Sequence, residues 1–402
     1  MSEWKRYKLG ELLSIKHGWA FKSENYVKDG KTALVTLRNI SEDSSFVFDV
    51  NKTTYYGGEY PEEYNLNEGD LIIPLTEQVV GLLGNSVFVP NFGDIKFVLN
   101  QRVGKVQEKY EKIDKIFLKY LLSTTTVRTQ MEYRASGTKQ RNISPKDIYD
   151  IEVYIPELVI QKYIGRILYN LDKKIQINNQ INQELEAMAK TLYDYWFVQF
   201  DFPDQNGKPY KSSGGKMVYN PELKREIPEG WGNSILGEFA DLYQPKTISD
   251  KDMIEDGEYL VYGANGIIGR YSEYNHEDSM VTISCRGNCG IINVTRPYSW
   301  ITGNSMVVKP KDDIYNIDYI SNLLLSLSIS SVITGSVQKQ LTRTSLVPLK
   351  IIIPNKEIIE KYRAITNVSF EKRKTIQIEV EQLTQLRDWL LPMLMNGQVK
   401  VE

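Results

Sequence analysis

The sequence predicts an α+β fold made by internal duplication, with two β-rich globular parts and a long helix after each. The first observation behind this is a seam in residues 164–195. Alternating steps of three and four land on Ile164, Ile167, Leu171, Lys174, Asn178, Ile181, Leu185, Met188, Leu192 and Tyr195, of which only Lys174 and Asn178 are polar. Sustained spacing of this kind marks a helix that meets another helix. The second observation is that adding 198 gives Tyr362, Ile365, Ser369, Lys372, Ile376, Glu379, Leu383, Leu386, Leu390 and Met393, a second seam in the same phase. The same shift carries Ser136-Gly137-Thr138-Lys139-Gln140 onto Thr334-Gly335-Ser336-Val337-Gln338, and Ile155-Pro156 onto Ile353-Pro354. The third is that Trp4 to Glu11 matches Trp231 to Glu238 at an offset of 231 − 4 = 227, so the second copy is 227 − 198 = 29 positions shorter before its helix. A repeated unit of this size is a structural unit used twice.

Each copy reads in the same order. Residues 4–18 hold a short amphipathic piece with Leu9, Leu12, Leu13 and Ile15, followed by an aromatic and basic loop at Trp19 and Lys22. Strand-like runs follow at 33–37, 70–74 and 84–89, each bounded by Gly, Asn or Pro. A helix is expected over 113–131 and a closing strand over 151–156. Pro156 and Glu157 then suit the start of the first long helix, which runs to about Phe200. Residues 204–230, rich in Gly, Ser and Pro, read as a hinge. The second copy has a glycine-rich turn at 263–269, a strand at 280–284 and a helix over 319–333 that Gly335 ends. Asn355 is a good N-cap for the second long helix, and Pro392 should kink or end it. The domain limits are therefore 1–156, 157–203, 204–230, 231–354 and 355–402.

Composition excludes several classes. A chain of 402 residues holds two or more domains of ordinary size, and a net charge of −2 confines any basic face to a local patch. Two cysteines, Cys285 and Cys289, make no disulfide framework, and with His276 they supply at most three of zinc's usual ligands; they read as small buried residues. No charged-then-apolar leader opens the sequence. The longest apolar stretch, 317–333, is broken by Asp318, Asn322 and serines, so a cytoplasmic chain with no membrane partner is expected. The spacing of Gly263, Gly266 and Gly269 fits neither nucleotide-binding fingerprint, no carboxylate pair is singled out, and the histidines sit in no hydrolase motif. No metal site, cofactor site or catalytic residue is expected in this chain.

The loops instead carry side chains that read bases and phosphates: Arg can fork onto guanine, and Asn or Gln onto adenine. Lys139, Gln140, Arg141 and Asn142 of the first copy answer to Val337, Gln338, Lys339 and Gln340 of the second. Further candidates are Trp19, Lys22, Arg38, Asn39, Thr76 and Arg102 in the first part. In the second they are Tyr262, Asn265, Arg270, Arg286, Asn288 and Asn304.

The duplicated domain starts, the strand Gly69-Asp70-Leu71-Ile72-Ile73, Asn100-Gln101-Arg102, the loop from Ser136 to Ser144 and the ending from Leu386 to Val399 together resemble the specificity (S) subunits of type I restriction-modification systems. The resemblance covers nearly the whole chain. It implies two target-recognition domains, each reading one half of a bipartite duplex DNA sequence. It also implies two spacer helices that pack as an antiparallel coiled coil through positions such as Ile164, Leu171, Asn178, Leu185 and Leu192 against Tyr362, Ile376, Leu383 and Leu390. Two modification subunits would dock there and hold S-adenosylmethionine, and restriction subunits would join them. Val337 and Gln340 depart from Lys139 and Asn142, so the two loops do different work. Residues 164–195 span roughly 46 Å at ~1.5 Å per residue, enough to set a gap of about one turn of DNA. Lys174 and Asn178, polar in the seam, are candidates to fix register against Lys372 or Glu379. The alternative is a coiled-coil scaffold whose globular parts bind protein. It leaves the concentration of Arg, Lys, Gln and Asn in the paired loops without an explanation.

Overall fold

The computed structural model describes residues 4–41, 43–78, 81–109, 111–137, 140–335 and 339–399. They form two compact units. The first is residues 1–177 with 379–402, and the second is residues 178–378.

In the first unit Lys5–Lys8 pairs antiparallel with Glu152–Ile155 and closes the globular part. A four-stranded sheet runs in the order Leu13–His17, Val103–Glu108, Leu71–Pro74, Val87–Phe88. Leu71 and Ile73 enter one hydrophobic cluster while Ile72 enters another on the opposite face, as the two-residue period of a strand requires. Burial on both faces is why this run is continuously apolar. A second sheet of five strands contains one parallel pair, Thr32–Val35 with Lys96–Leu99.

The second unit repeats the plan. Gly232–Ile235 pairs with Lys350–Ile353, and four strands follow in the matching order Ala240–Tyr243, Ser305–Pro310, Val281–Ser284, Ile292–Val294. Its other sheet has three strands instead of five and keeps one parallel pair, Tyr259–Gly263 with Ser299–Ile301. Among the described residues, the shorter second copy thus has fewer strands in this sheet.

Several elements differ from the sequence expectation. The helix expected over 113–131 is two, Lys115–Leu122 and Thr125–Arg134, because the Thr124 hydroxyl accepts the Val127 N–H and starts the second one. The helix expected over 319–333 is Ile317–Ser326 plus a 3-10 turn, Ile329–Val332, in a region where serine hydroxyls bond back to the main chain. Residues 204–230 are not irregular throughout: Met217–Asn220 and Arg225–Pro228 form a hairpin, Ile227 is buried, and Tyr210 stacks on Phe202 at 4.7 Å.

The long helices are Leu158–Tyr193 and Lys356–Met395. The first ends in a π-turn, Asp194–Val198, and the left-handed Phe200 (φ +67°), whose ring lies edge-on to Trp231 at 5.6 Å. The Glu357 N–H bonds to Asn355 Oδ1 at 2.8 Å at the start of the second. Pro392 does not end this helix, because Leu394 and Met395 beyond it are buried in the first unit's core.

Within each unit a segment of one long helix lies antiparallel on a segment of the other. In the first, Ile164 and Leu168 share a core with Leu394 and Met395, Asp172 meets Arg387 at 3.1 Å, and Lys174 meets Glu379 at 3.3 Å. In the second, Glu186 lies near Arg373, and Tyr362 Oη donates to Ala189 O at 3.3 Å. The seam is displaced by one residue at alternate positions. Ile164, Leu171, Asn178, Leu185 and Leu192 turn inward, but Ile167 and Met188 are exposed and Leu168 and Ala189 are buried in their place. The second helix repeats the shift, with Ile365 exposed and Thr366 buried. Steps of four then three, not three then four, describe both helices. Lys174 accordingly pairs with Glu379 from the half-exposed flank of the seam.

Candidate nucleic-acid interface

The described ends of the loop singled out by the repeat are built alike in both copies. Ser136 and Asn142 exchange backbone hydrogen bonds of 3.0 and 2.8 Å, and Thr334 and Gln340 do the same at 2.9 and 2.8 Å. Gly137 and Gly335, the first residue inside each loop, are both left-handed, with φ +117° and +93°. The loop then joins two others by main-chain bonds. Ile143 N donates to Leu75 O, and Leu75 N to Arg102 O; in the second copy Leu341 N donates to Cys285 O, and Cys285 N to Asn304 O. Three segments distant in sequence are thereby fixed along one edge in each unit.

A Cβ on Gly137 would stand 2.1 Å from the Gln140 carbonyl oxygen. Gly137→Ala therefore reshapes the loop, with strain of about 1–3 kcal/mol. The expected result is a lower melting temperature of the first unit, read by thermal melting.

The first edge gathers Arg102, Thr76, Gln140, Arg141 and Asn142, with Trp19 joined to it through the bond from Gln101 N to Trp19 O. Their roles are unequal. Thr76 is buried, and its hydroxyl donates to Asn142 Oδ1 at 2.8 Å, which Gln140 Nε2 also approaches at 3.3 Å; Thr76 fixes the Asn142 side chain. Arg141 is paired with the buried carboxylate of Glu77. Trp19 packs beside Tyr64 at 5.2 Å, and Lys22 is exposed, 4.0 Å from Glu24. Arg38 is exposed, but Asn39 is a structural residue. It is buried, its Oδ1 accepts the Thr36 N–H, and its Nδ2 donates to Val47 O.

The second edge gathers Arg286, Asn304, Lys339 and Gln340, with Arg286 bridged to Gln340. Asn288 sits in the same turn as Arg286, where its carbonyl accepts the Ser284 hydroxyl at 2.6 Å. Exposed Asn265 lies on the turn whose Gly263 carbonyl accepts the Ser305 hydroxyl, next to Asn304. Tyr262 and Arg270 belong to the scaffold. The Tyr262 ring is buried with its oxygen accepting the Arg296 N–H, and Arg270 Nη1 donates to the carbonyls of Gly257 and Glu258. Lys139 and Gln338 lie outside the described residues. Exposed Gln101, which the Asn100-Gln101-Arg102 motif contains but base-reading chemistry does not single out, and Gln244, whose Nε2 donates to Gly303 O, share these edges; Gln244 belongs to no repeated motif and carries no signal in the sequence.

Cys285 is buried, which pushes its thiol up to about 11, a nucleophile poorly suited to neutral pH. His276 is enclosed by Tyr243 Oη at 2.9 Å and Asn275 Oδ1 at 2.6 Å, and burial lowers its pKa. Among the described residues no group of three or more His, Cys, Asp or Glu is placed to hold a metal, and no helix is long and apolar enough to cross a membrane.

Two units with one plan, each presenting the same three-segment edge of amide and guanidinium side chains, define a two-headed recognition protein with helical connectors. The chain belongs to the type I restriction modification DNA specificity domain family, whose sequence profile matches residues 1–187 and 228–382. It is similar to the HindI type I restriction enzyme specificity subunit of Haemophilus influenzae, 22% identical over 99% of this chain and 100% of that one. It is likewise 22% identical to the MjaIX specificity subunit of Methanocaldococcus jannaschii, over 71% of this chain and 69% of the other. Its fold is that of the type I restriction-modification S subunit from M. genitalium, with a TM-score of 0.58 at 18% identity over 98% and 96% of the two chains.

Proposed function

We propose that this chain, as a DNA specificity subunit of a type I restriction-modification enzyme, reads a bipartite duplex site, one half with each edge. The observation that carries the reading is the repetition of the three-segment edge around Ser136/Asn142 and Thr334/Gln340 with different side chains on it. One geometry with two side-chain sets is what two half-sites of unlike sequence call for. Base-edge contacts specify, while the phosphates take most of the charge. A net charge of −2 gives little general attraction, so partner subunits complete the grip on DNA. Two modification subunits dock on the helical connectors, carry S-adenosylmethionine and perform the methyl transfer, and restriction subunits join for cleavage. The chain itself supplies recognition and no catalytic group.

The test is long-read methylation mapping in a host without modification systems that expresses this chain with its modification subunit. A split motif of two short half-sites with a fixed unspecified gap is expected. A complex that forms and methylates no new motif overturns the reading. The connectors are proposed to set the gap. One heptad added to each long helix lengthens it by about 10 Å, or ~3 base pairs, with both half-sites unchanged. An unchanged gap in the same mapping removes the spacer role.

A further inference from the structure

Glu77 is 1% exposed and saturated with donors. Its Oε2 accepts the backbone N–H groups of Gly81, Leu82 and Leu83 at 3.2, 3.0 and 3.0 Å. Its Oε1 accepts Arg141 Nε at 2.7 Å together with Nη2 of the same guanidinium. Arg141 keeps 26% of its side chain exposed. A guanidinium carries five N–H donors in one plane. Glu77 occupies the Nε and Nη2 side, so among the described residues the two parallel N–H groups at the far end, one on Nη1 and one on Nη2, remain as a fork.

That end-on fork matches O6 and N7 of guanine in the major groove. Fixing the plane beforehand removes most of the rotamer freedom that a long side chain loses on binding, and a charge-assisted bond holds it. Among the described residues the second edge has no such brace. Where Arg286 faces Gln340, the residue after Arg286 is Gly287 and the residue before Gln340 is Lys339, a flexible point charge with no fork.

Resting on the DNA-reading function above, we propose that Arg141, held by Glu77, reads one guanine of the first half-site end-on, with Glu77 as a positioning residue that does not itself touch DNA. The second domain has no equivalent braced reader at this position. The first half-site therefore has an invariant guanine that depends on Glu77, and the second half-site does not.

The experiment compares the full-length chain with Glu77→Gln and Arg141→Lys, each assembled with its modification subunits. It reads the methylated motif and the rate on duplexes carrying each base at that position. Both variants are expected to reduce the preference for guanine at one position on the order of tenfold or more, leaving the other half-site unchanged. Arg141→Lys leaves the bonds from Glu77 to residues 81–83 in place, so it decides the matter if Glu77→Gln does not fold. A first half-site without guanine, an unaltered guanine preference, or equal loss at every position of that half-site each overturns the proposal while leaving the bipartite function intact. A wild-type complex with no split motif overturns the function as well.

Discussion

Exchanging residues 1–156 for those of another family member replaces one half of the methylated motif entirely and leaves the other half and the gap as they were. Every segment of the first edge proposed to read DNA lies within these residues: Trp19, Leu75 to Glu77, Gln101 with Arg102, and Gln140 to Asn142. Their order is held by the antiparallel pair of Lys5–Lys8 with Glu152–Ile155, which also lies inside the exchanged part. Specific sites are typically preferred over non-specific DNA by roughly 10³–10⁷, so loss of the old half-site is unambiguous in a methylation map. The graft has one structural requirement. Gln161, on the retained helix, accepts the Asp114 N–H at 2.9 Å and donates to Lys112 O and Pro156 O, so the incoming part must present the same turn. A folded chimaera that methylates the original motif, or loses both halves, refutes the assignment of one half-site to one domain.

The duplication was legible in the sequence because it survives where geometry is strict. A left-handed residue at the loop entrance keeps glycine at 137 and 335, and the strand that closes each globular part keeps Ile-Pro before its helix. The seam phase was harder to read, since neighbouring residues are apolar at most of the contested places: Ile167 and Leu168, Met188 and Ala189, Tyr195 and Trp196. Lys174 beside Ile175 favours the observed phase, but Ile181 beside Asn182 favours the other. A side chain's role in the edge was not legible at all. Composition makes Asn39 and Tyr262 look like readers, but their polar atoms are used by main-chain partners that only the folded chain brings near, and Arg270 gives its Nη1 to two carbonyls in the same way. Glu77 shows the converse. A lone Glu in a polar run has no signal, and its importance arises from Arg141, 64 positions away.

The second large effect concerns the helical connectors and is expected from Asp172→Ala. Asp172 Oδ2 accepts Lys119 Nζ at 2.8 Å and Tyr120 Oη at 2.7 Å, and Oδ1 accepts Arg387 Nη1 at 3.1 Å. One carboxylate thus ties the short helix of the globular part to both long helices. Lys119 is buried, so removing its anion leaves a charge in the interior, a loss of about 3–5 kcal/mol when one member of a buried pair is deleted. A drop of roughly 10 °C in the melting of the first unit follows. The second unit has a cluster of opposite polarity, with Arg373 of the second long helix bonded to Asp318 of a short helix and facing Glu186. Its transition stays in place because the two clusters share no residue.

Acid dependence gives an independent check on the same carboxylate. Burial alone raises the Asp172 carboxyl, but Lys119, Tyr120 and Arg387 together outweigh it and hold the group below the ordinary carboxylate range. Its folded pKa is lower than its unfolded one, so its stabilisation is complete above about pH 4 and disappears as the pH falls through the folded value. Asp172→Ala removes that part of the acid dependence, so the difference in melting temperature from wild type narrows below about pH 4. A difference that stays constant down to acid pH assigns the loss to packing and not to the charge.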